Sequence, residues 1–459
     1  MEYMKHMTLE NITAACHGTY HGDTALLSRE ISSVEIDSRK IQKDSLFVPI
    51  KGAKVDGHDF IPQVMEKGAL ITLSEREPED ADYPYIKVDS CETALHELAA
   101  FYRNSLDIKV VGITGSVGKT STKETVSTIL SQKYNVLKTE GNFNNEIGLP
   151  LTIFRIRSEH NIAVLEMGID HFGDMHKLAS MSQPDICIIT NIGLAHMENF
   201  GDRYGTLKAK TEVFDHLQPN ATVILNGDDD KLQTVKSVQG KSPVFFGCNP
   251  DNAAYADEIE DLGLRGTNCL LHLPAGDIRV HIPIPGAHMV YNVLAGACAG
   301  LELGLTLEEI KCGTASLKTI AGRTNLIETD KLLIIDDCYN ANPVSMMGSL
   351  DILSTTKGRS VAILGDMFEL GSKEEQLHFN TGVHAAEKDI NVICCVGKLS
   401  KNTYTGAKSH AASSEVLYFE TKADLLKILP DIIEKDDTVL VKASHGMEFP
   451  EVVEILKTL

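Results

Sequence analysis

Residues 109–122 read KVVGITGSVGKTST. The apolar run Ile108 to Ile113 leads into a glycine turn, and a helical pattern from Thr120 to about Gln132 follows. A strand, a glycine turn and a helix in that order spell a phosphate-binding loop. Gly115 and Gly118 let backbone N–H groups close on phosphate oxygens, with Ser116 and Val117 between them and Ser121 behind. Lys119 is placed to neutralise the β- and γ-phosphates, and Thr120 to hold Mg²⁺ through its hydroxyl. The helix N-terminus adds favourable partial charge. The general pattern G-x-x-x-x-G-K-[ST] asks for a glycine where Ile113 stands; here the glycine is at Gly115. By itself the loop specifies nucleotide binding and leaves the reaction open.

The same rhythm continues on the carboxyl side. Buried strands are predicted at Ile162 to Met167, Asp185 to Thr190 and Thr222 to Leu225, with helical patterns between most of them. Strands alternating with helices predict a mostly parallel α/β sheet. Residues Leu270 to Pro285 read as a small β insertion, and Ala287 to Leu303 as a buried helix. From Gly322-Arg323 onward, strands are predicted at Leu332 to Asp336, Ser360 to Leu364, Asn391 to Val396, Val416 to Phe419 and Thr438 to Lys442. That is a second, smaller Rossmann-like unit. On the amino side, Ser45 to Ile50 reads as a strand and Glu92 to Arg103 as a helix. At about 150 residues per domain, 459 residues suggest three domains. Their expected bounds are 1–105, 106–321 and 322–459.

The formal charge of −21 disfavours a nucleic-acid partner, because such a surface repels phosphate backbones. An anionic small molecule can still bind in a local basic pocket. No apolar stretch approaches the roughly 20 residues that span a bilayer, and no basic-then-apolar leader opens the chain. A cytoplasmic protein without membrane insertion is expected. The ten cysteines include no Cys-x-x-Cys spacing, so neither disulfides nor structural zinc are expected.

Carboxyl ends of parallel strands gather ligands. Glu166 ends one predicted strand, and His196 follows another in TNIGLAHMENFG. Both are candidate Mg²⁺ ligands at the edge that carries the loop. Read alone, a histidine after a strand is more often a loop residue. Lys210, in the helical stretch LKAKTEVF, reads alone as a solvated lysine.

Eight segments then fall into one order: ITGSVGKTS, GNFNNEIGLPLT, LEMGIDHFGD, TNIGLAHMENFG, PGAHMVYNVLA, GRTN, IDDCYNANP and ILGDMFELG. In this order they resemble the Mur ligases over nearly the whole chain. The resemblance implies a UDP-binding amino-terminal domain, a central ATPase domain and a carboxyl-terminal Rossmann-like domain. It implies ATP and Mg²⁺ as cofactors, with catalysis shared by Lys119, Glu166, His196 and Lys210. It also promotes Lys210 to a metal ligand, as a lysine carbamylated by CO₂. Asn292 and Arg323 would contact ATP, and Asp337 its ribose. Ser38 and Arg39 in IDSRKI would bind uridine diphosphate, helped by Lys51 in KGAKVDGHDF. Asn142, Asn144 and Asn145 would lie near substrate and phosphates, as would Asn340 and Asn342 in the carboxyl-terminal motif. The implied substrates are UDP-N-acetylmuramoyl-tripeptide and D-alanyl-D-alanine, handled by a monomer. The segments DDCYNANP and GDMFELG favour that amine over those of other Mur ligases or of folylpolyglutamate synthetases. A nucleotide-switch module with slow ATPase is the alternative of a different class.

Two positions depart from the family pattern. Lys442-Ala443-Ser444-His445 stands where Lys-Gly-Ser-Arg is usual, and a histidine cannot give arginine's bidentate, permanent charge. Pro450 stands where a glutamate is common and reads as a helix-start proline.

Overall fold

The computed structural model describes residues 3–52, 54–78, 82–193 and 197–459. It is an α/β protein whose described strands form three sheets. Two compact units emerge: 1–190 with 207–225 and 234–244, and 191–206 with 226–233 and 245–459.

The first unit opens with β1 (Thr19–His21), β2 (Val34–Glu35), β3 (Leu46–Phe47), β4 (Ile71–Ser74) and β5 (Tyr85–Lys87). Their order is β1-β5-β4-β3-β2, parallel except for the β1/β5 pair. The expected strand Ser45 to Ile50 shrinks to two residues. Pro49 has no N–H to give to a ladder, which stops the strand early.

The same unit then carries β6 (Lys109–Thr114), β7 (Val136–Lys138), β8 (Ile162–Glu166), β9 (Ile186–Ile189) and β10 (Thr222–Asn226). They lie in the order β10-β9-β6-β8-β7, all parallel; the alternating pattern predicts four of these strands, and the short edge strand β7 is an addition to it. β6, β8 and β9 are buried almost throughout, which is why their sequences are continuous apolar runs. Helix Lys119–Leu130 follows β6, and helix Cys91–Ser105 precedes it. Arg103 of the latter, buried, forks onto the carbonyl of Ser182 and the carboxylate of Asp185, and so ties that helix to the start of β9.

The second unit begins with β11 (Val244–Gly247), β12 (Ala254–Asp261), β13 (Thr267–Leu273) and β14 (Gly276–Ile282). β12, β13 and β14 form an antiparallel meander. The insertion is therefore larger than Leu270 to Pro285. The second half of β12, EIED, is exposed and acidic, so no hydrophobic alternation announces it. The buried helix is Met289–Glu302.

The last sheet holds β15 (Asn325–Glu328), β16 (Leu333–Asp336), β17 (Ser360–Gly365), β18 (Val392–Val396), β19 (Glu415–Phe419) and β20 (Thr438–Lys442). Its order is β15-β16-β20-β17-β18-β19, parallel except at β15. Cys394 and Cys395 point to opposite faces of β18 and join the two separate cores that flank the sheet. Pro450 opens the last helix, Pro450–Leu456, as its sequence position predicts.

Candidate active site

β6 delivers the chain into the glycine loop. Gly115 has φ 151°, and a Cβ there would sit 1.9 Å from Thr190 Oγ1. Only glycine fits so close to the end of β9. The Thr190 hydroxyl in turn donates to the carbonyl of Val117 at 2.7 Å, which fixes the loop's crest. Gly118 begins helix Lys119–Leu130 with φ 83°. A glycine here brings no side-chain oxygen to compete with a phosphate for the first-turn N–H groups. Lys119 Nζ folds back onto the Gly115 carbonyl at 3.0 Å.

Glu166 ends β8 and is 2 % exposed. Its Oε1 accepts from Thr120 Oγ1 at 3.0 Å and from Asn144 Nδ2 at 2.9 Å. Its Oε2 is buried with no hydrogen-bond partner among the described residues. The loop threonine, the carboxylate and the asparagine of GNFNNE thus meet at one point, as their motif positions imply. Asn145 instead accepts from Gly148 N at 2.8 Å and turns the chain into helix Gly148–Ile153, while Asn142 stays exposed.

Lys210 is only 2 % exposed, so the reading as a solvated lysine is overturned. Burial, and next the neighbouring Lys119 charge, hold its ammonium well below the usual lysine range. Local sequence around LKAKTEVF could not show this, because the burial comes from distant segments. The expected ligand His196 lies outside the described residues.

On the amino-terminal sheet, Arg39 forks onto Asp37 at 2.9 and 2.8 Å. Those bonds hold the Asp37 carboxyl down at about 2. The Ser38 carbonyl accepts from Lys67 Nζ, and Lys51 is exposed.

In the second unit, the Arg323 guanidinium lies 4.2 Å over the Tyr339 ring, and His445 packs 5.7 Å from that ring. Asp337 is buried, accepting from Lys442 Nζ at 2.6 Å and from Thr324 N at 3.0 Å. Asn342 caps helix Pro343–Ser354 through Ser345 N at 2.9 Å. Asn340 Oδ1 accepts from Ala341 N, and the amide of buried Asn292 donates to Met289 Sδ.

Sequence reasoning missed Lys123, Thr139 and Thr190. Thr139 Oγ1 accepts from Glu166 N at 3.0 Å, and the Thr139 carbonyl accepts from Lys123 Nζ at 2.7 Å. The one available signal was helical: Lys123 follows Thr120 by three residues, on the same helix face.

A phosphate loop backed by a buried carboxylate and a buried lysine defines a nucleotide-using α/β enzyme. Three family descriptions match: the Mur ligase catalytic domain over residues 30–103, the Mur ligase middle domain over 113–300 and the Mur ligase glutamate ligase domain over 322–445. The UDP-N-acetylmuramoyl-tripeptide–D-alanyl-D-alanine ligase of Escherichia coli is 36% identical over 455 residues, covering 98% of both chains. The crystal structure of MurF from Acinetobacter baumannii superposes with a TM-score of 0.91 at 32% identity, covering 98% of this chain and 99% of that one. MurF from Thermotoga maritima in complex with ADP gives 0.82 at 29% identity, over 93% and 97%. The chain belongs to the Mur ligase family.

Proposed function

We infer that this chain is the ATP-dependent ligase that joins D-alanyl-D-alanine to UDP-N-acetylmuramoyl-tripeptide, a step of peptidoglycan precursor synthesis. The observation that carries this is end-to-end similarity to ligases of that specificity, 36% identical over 98% of both chains. Three domains, at 1–105, 106–321 and 322–459, suit the three family matches. No described helix is long and apolar enough to cross a membrane, and we place the chain in the cytoplasm as a monomer.

A carboxylate is a poor electrophile at neutral pH. Phosphorylation by ATP turns it into an acyl phosphate, which the dipeptide amine attacks; the tetrahedral intermediate then expels phosphate. The loop's backbone N–H groups bind the phosphates, and Lys119 leaves the Gly115 carbonyl to neutralise the transferring group. Asn144 and Thr120 aim the Glu166 carboxylate. The bare Oε2 beside a threonine hydroxyl is a hard-oxygen donor set that fits Mg²⁺. Glu166, Thr120, His196 and carbamylated Lys210 would hold it. Bound there, the ion would offset charge on the phosphates. Burial favours the neutral amine at Lys210, and the neutral amine is the form that takes up CO₂, which supports the carbamate there. Nucleotide contacts by Asn292, Arg323 and Asp337, and uridine diphosphate contacts by Ser38, Arg39 and Lys51, rest on motif position. So do substrate contacts by Asn142, Asn144, Asn145, Asn340 and Asn342.

The deciding experiment is phosphate release with UDP-N-acetylmuramoyl-tripeptide and a panel of amines. Release that requires both the carboxylate substrate and D-alanyl-D-alanine is expected. Hydrolysis independent of any amine would instead identify a nucleotide switch.

A further inference from the structure

Lys123 is among the most deeply buried charges of the molecule, 1 % exposed. Its Nζ donates to the Thr139 carbonyl at 2.7 Å and pairs with Glu124 at 3.1 Å. It also lies 3.8 Å from Glu166 Oε2, the oxygen that has no hydrogen bond. Glu124 is itself held by Lys138, so a chain of alternating charges runs inward from the surface to Glu166. Thr139 anchors both residues: its carbonyl takes the Lys123 ammonium and its hydroxyl takes the Glu166 backbone N–H.

We propose that Lys123 is a built-in counter-charge that makes metal entry depend on nucleotide. This rests on the reading of Glu166 as a metal ligand. Without nucleotide, a divalent cation approaching Glu166 Oε2 gains one carboxylate and meets one fixed ammonium. The chain Lys138, Glu124, Lys123 and Glu166 carries no net charge, and little attraction remains. The phosphates of ATP supply the missing negative charge, so the cation is taken up with the nucleotide and not before it. Lys123 is thus a positioning residue that touches neither substrate nor the transferring group. A purely structural role predicts only losses when it is removed; this role predicts a gain.

The test is Mn²⁺ binding to the full chain, followed by calorimetry and by the paramagnetic signal of free Mn²⁺, with and without a non-hydrolysable ATP analogue. Lys123→Met should tighten Mn²⁺ binding to the nucleotide-free protein by at least about tenfold, since a full positive charge within about 4 Å of the ligand oxygen is gone. Glu124→Gln should act in the opposite sense and weaken it, because Lys123 then bears on Glu166 without a second partner. An unchanged or weaker Mn²⁺ affinity in folded Lys123→Met overturns the proposal. Should that variant fail to fold, Lys123→Gln, whose amide can still donate to the Thr139 carbonyl, decides: tighter binding supports the counter-charge and unchanged or weaker binding refutes it. Glu166→Gln separates the two layers of the argument. If it leaves binding of Mn²⁺ with the analogue intact, Glu166 is not the ligand and both readings fall. If it abolishes that binding while Lys123→Met changes nothing, only the counter-charge fails.

Discussion

Gly115→Ala should damage nucleotide binding far more than its size suggests. The new methyl carbon would meet Thr190 Oγ1 at 1.9 Å, Cβ at 3.1 Å and N at 3.2 Å, on a backbone with φ 151°. Thr190 cannot step aside cheaply: its hydroxyl donates to the Val117 carbonyl and its N–H to the Thr114 carbonyl at 3.0 Å. The loop must therefore retreat by more than an ångström from the end of β9. Its N–H groups then miss the phosphates, and each charge-assisted bond lost costs about 1.5–3 kcal/mol. One to two such bonds put the loss at about 3 kcal/mol, roughly a hundredfold in the Kd for ATP. Calorimetric titration with ATP measures it directly. Adding Thr190→Ala removes the 1.9 Å contact and should restore about tenfold of the lost affinity. Gly115→Ala protein that binds ATP within about threefold of wild type would refute the argument, since that is well under the cost of one charged hydrogen bond. So would a double variant no better than the single, because the clash with Thr190 would then not be the cause.

Lys119→Ala should cut ligase turnover by more than tenfold, above about 1.4 kcal/mol of barrier, and a smaller loss in a steady-state assay would remove Lys119 from catalysis. Lys210→Met should abolish a carbamate signal in carbon-13 spectra taken with labelled bicarbonate; a signal that persists would place the carbamate elsewhere. In CO₂-free buffer the native chain should also gain stability relative to Lys210→Met as pH rises towards the ordinary lysine value of 10.5. The unfolded chain there still binds a proton that the buried amine has released, so denaturation midpoints of the two proteins should converge or cross with pH. Lys442→Met leaves the buried Asp337 carboxylate without its 2.6 Å partner and should destabilise the carboxyl-terminal sheet by about 3–5 kcal/mol in denaturant unfolding. A loss below about 1 kcal/mol, the scale of an exposed pair, would contradict that burial.

The parallel strands β6, β8, β9, β17, β18 and β20 were legible because each is a short apolar run with both faces covered, whereas the short strands β2, β4, β5 and β7 were not anticipated. β20 appears at Thr438–Lys442, the residues its pattern predicts. β3 and β12 were misjudged for opposite reasons. Pro49 truncates one, and the exposed acidic half of the other carries no hydrophobic period. Within the candidate site, Thr120 and Glu166 stood out by position at strand and helix ends, and the structure brings them to 3.0 Å. Lys210 did not, since a helical lysine looks the same in sequence whether solvent or protein lies beyond it.

The sequence alone determined the phosphate loop, because strand, glycines, lysine and helix are contiguous and their geometry is local. It also determined the family, through motif order. Tertiary structure alone decided why Gly115 is obligatory, why Glu166 keeps one bare oxygen and why Lys123 and Lys210 are buried. Each of those facts depends on residues tens of positions away, brought together by β8, β9 and the helix that carries Lys210. Burial and electrostatics depend on what lies nearby in space, and spacing along the chain does not encode that.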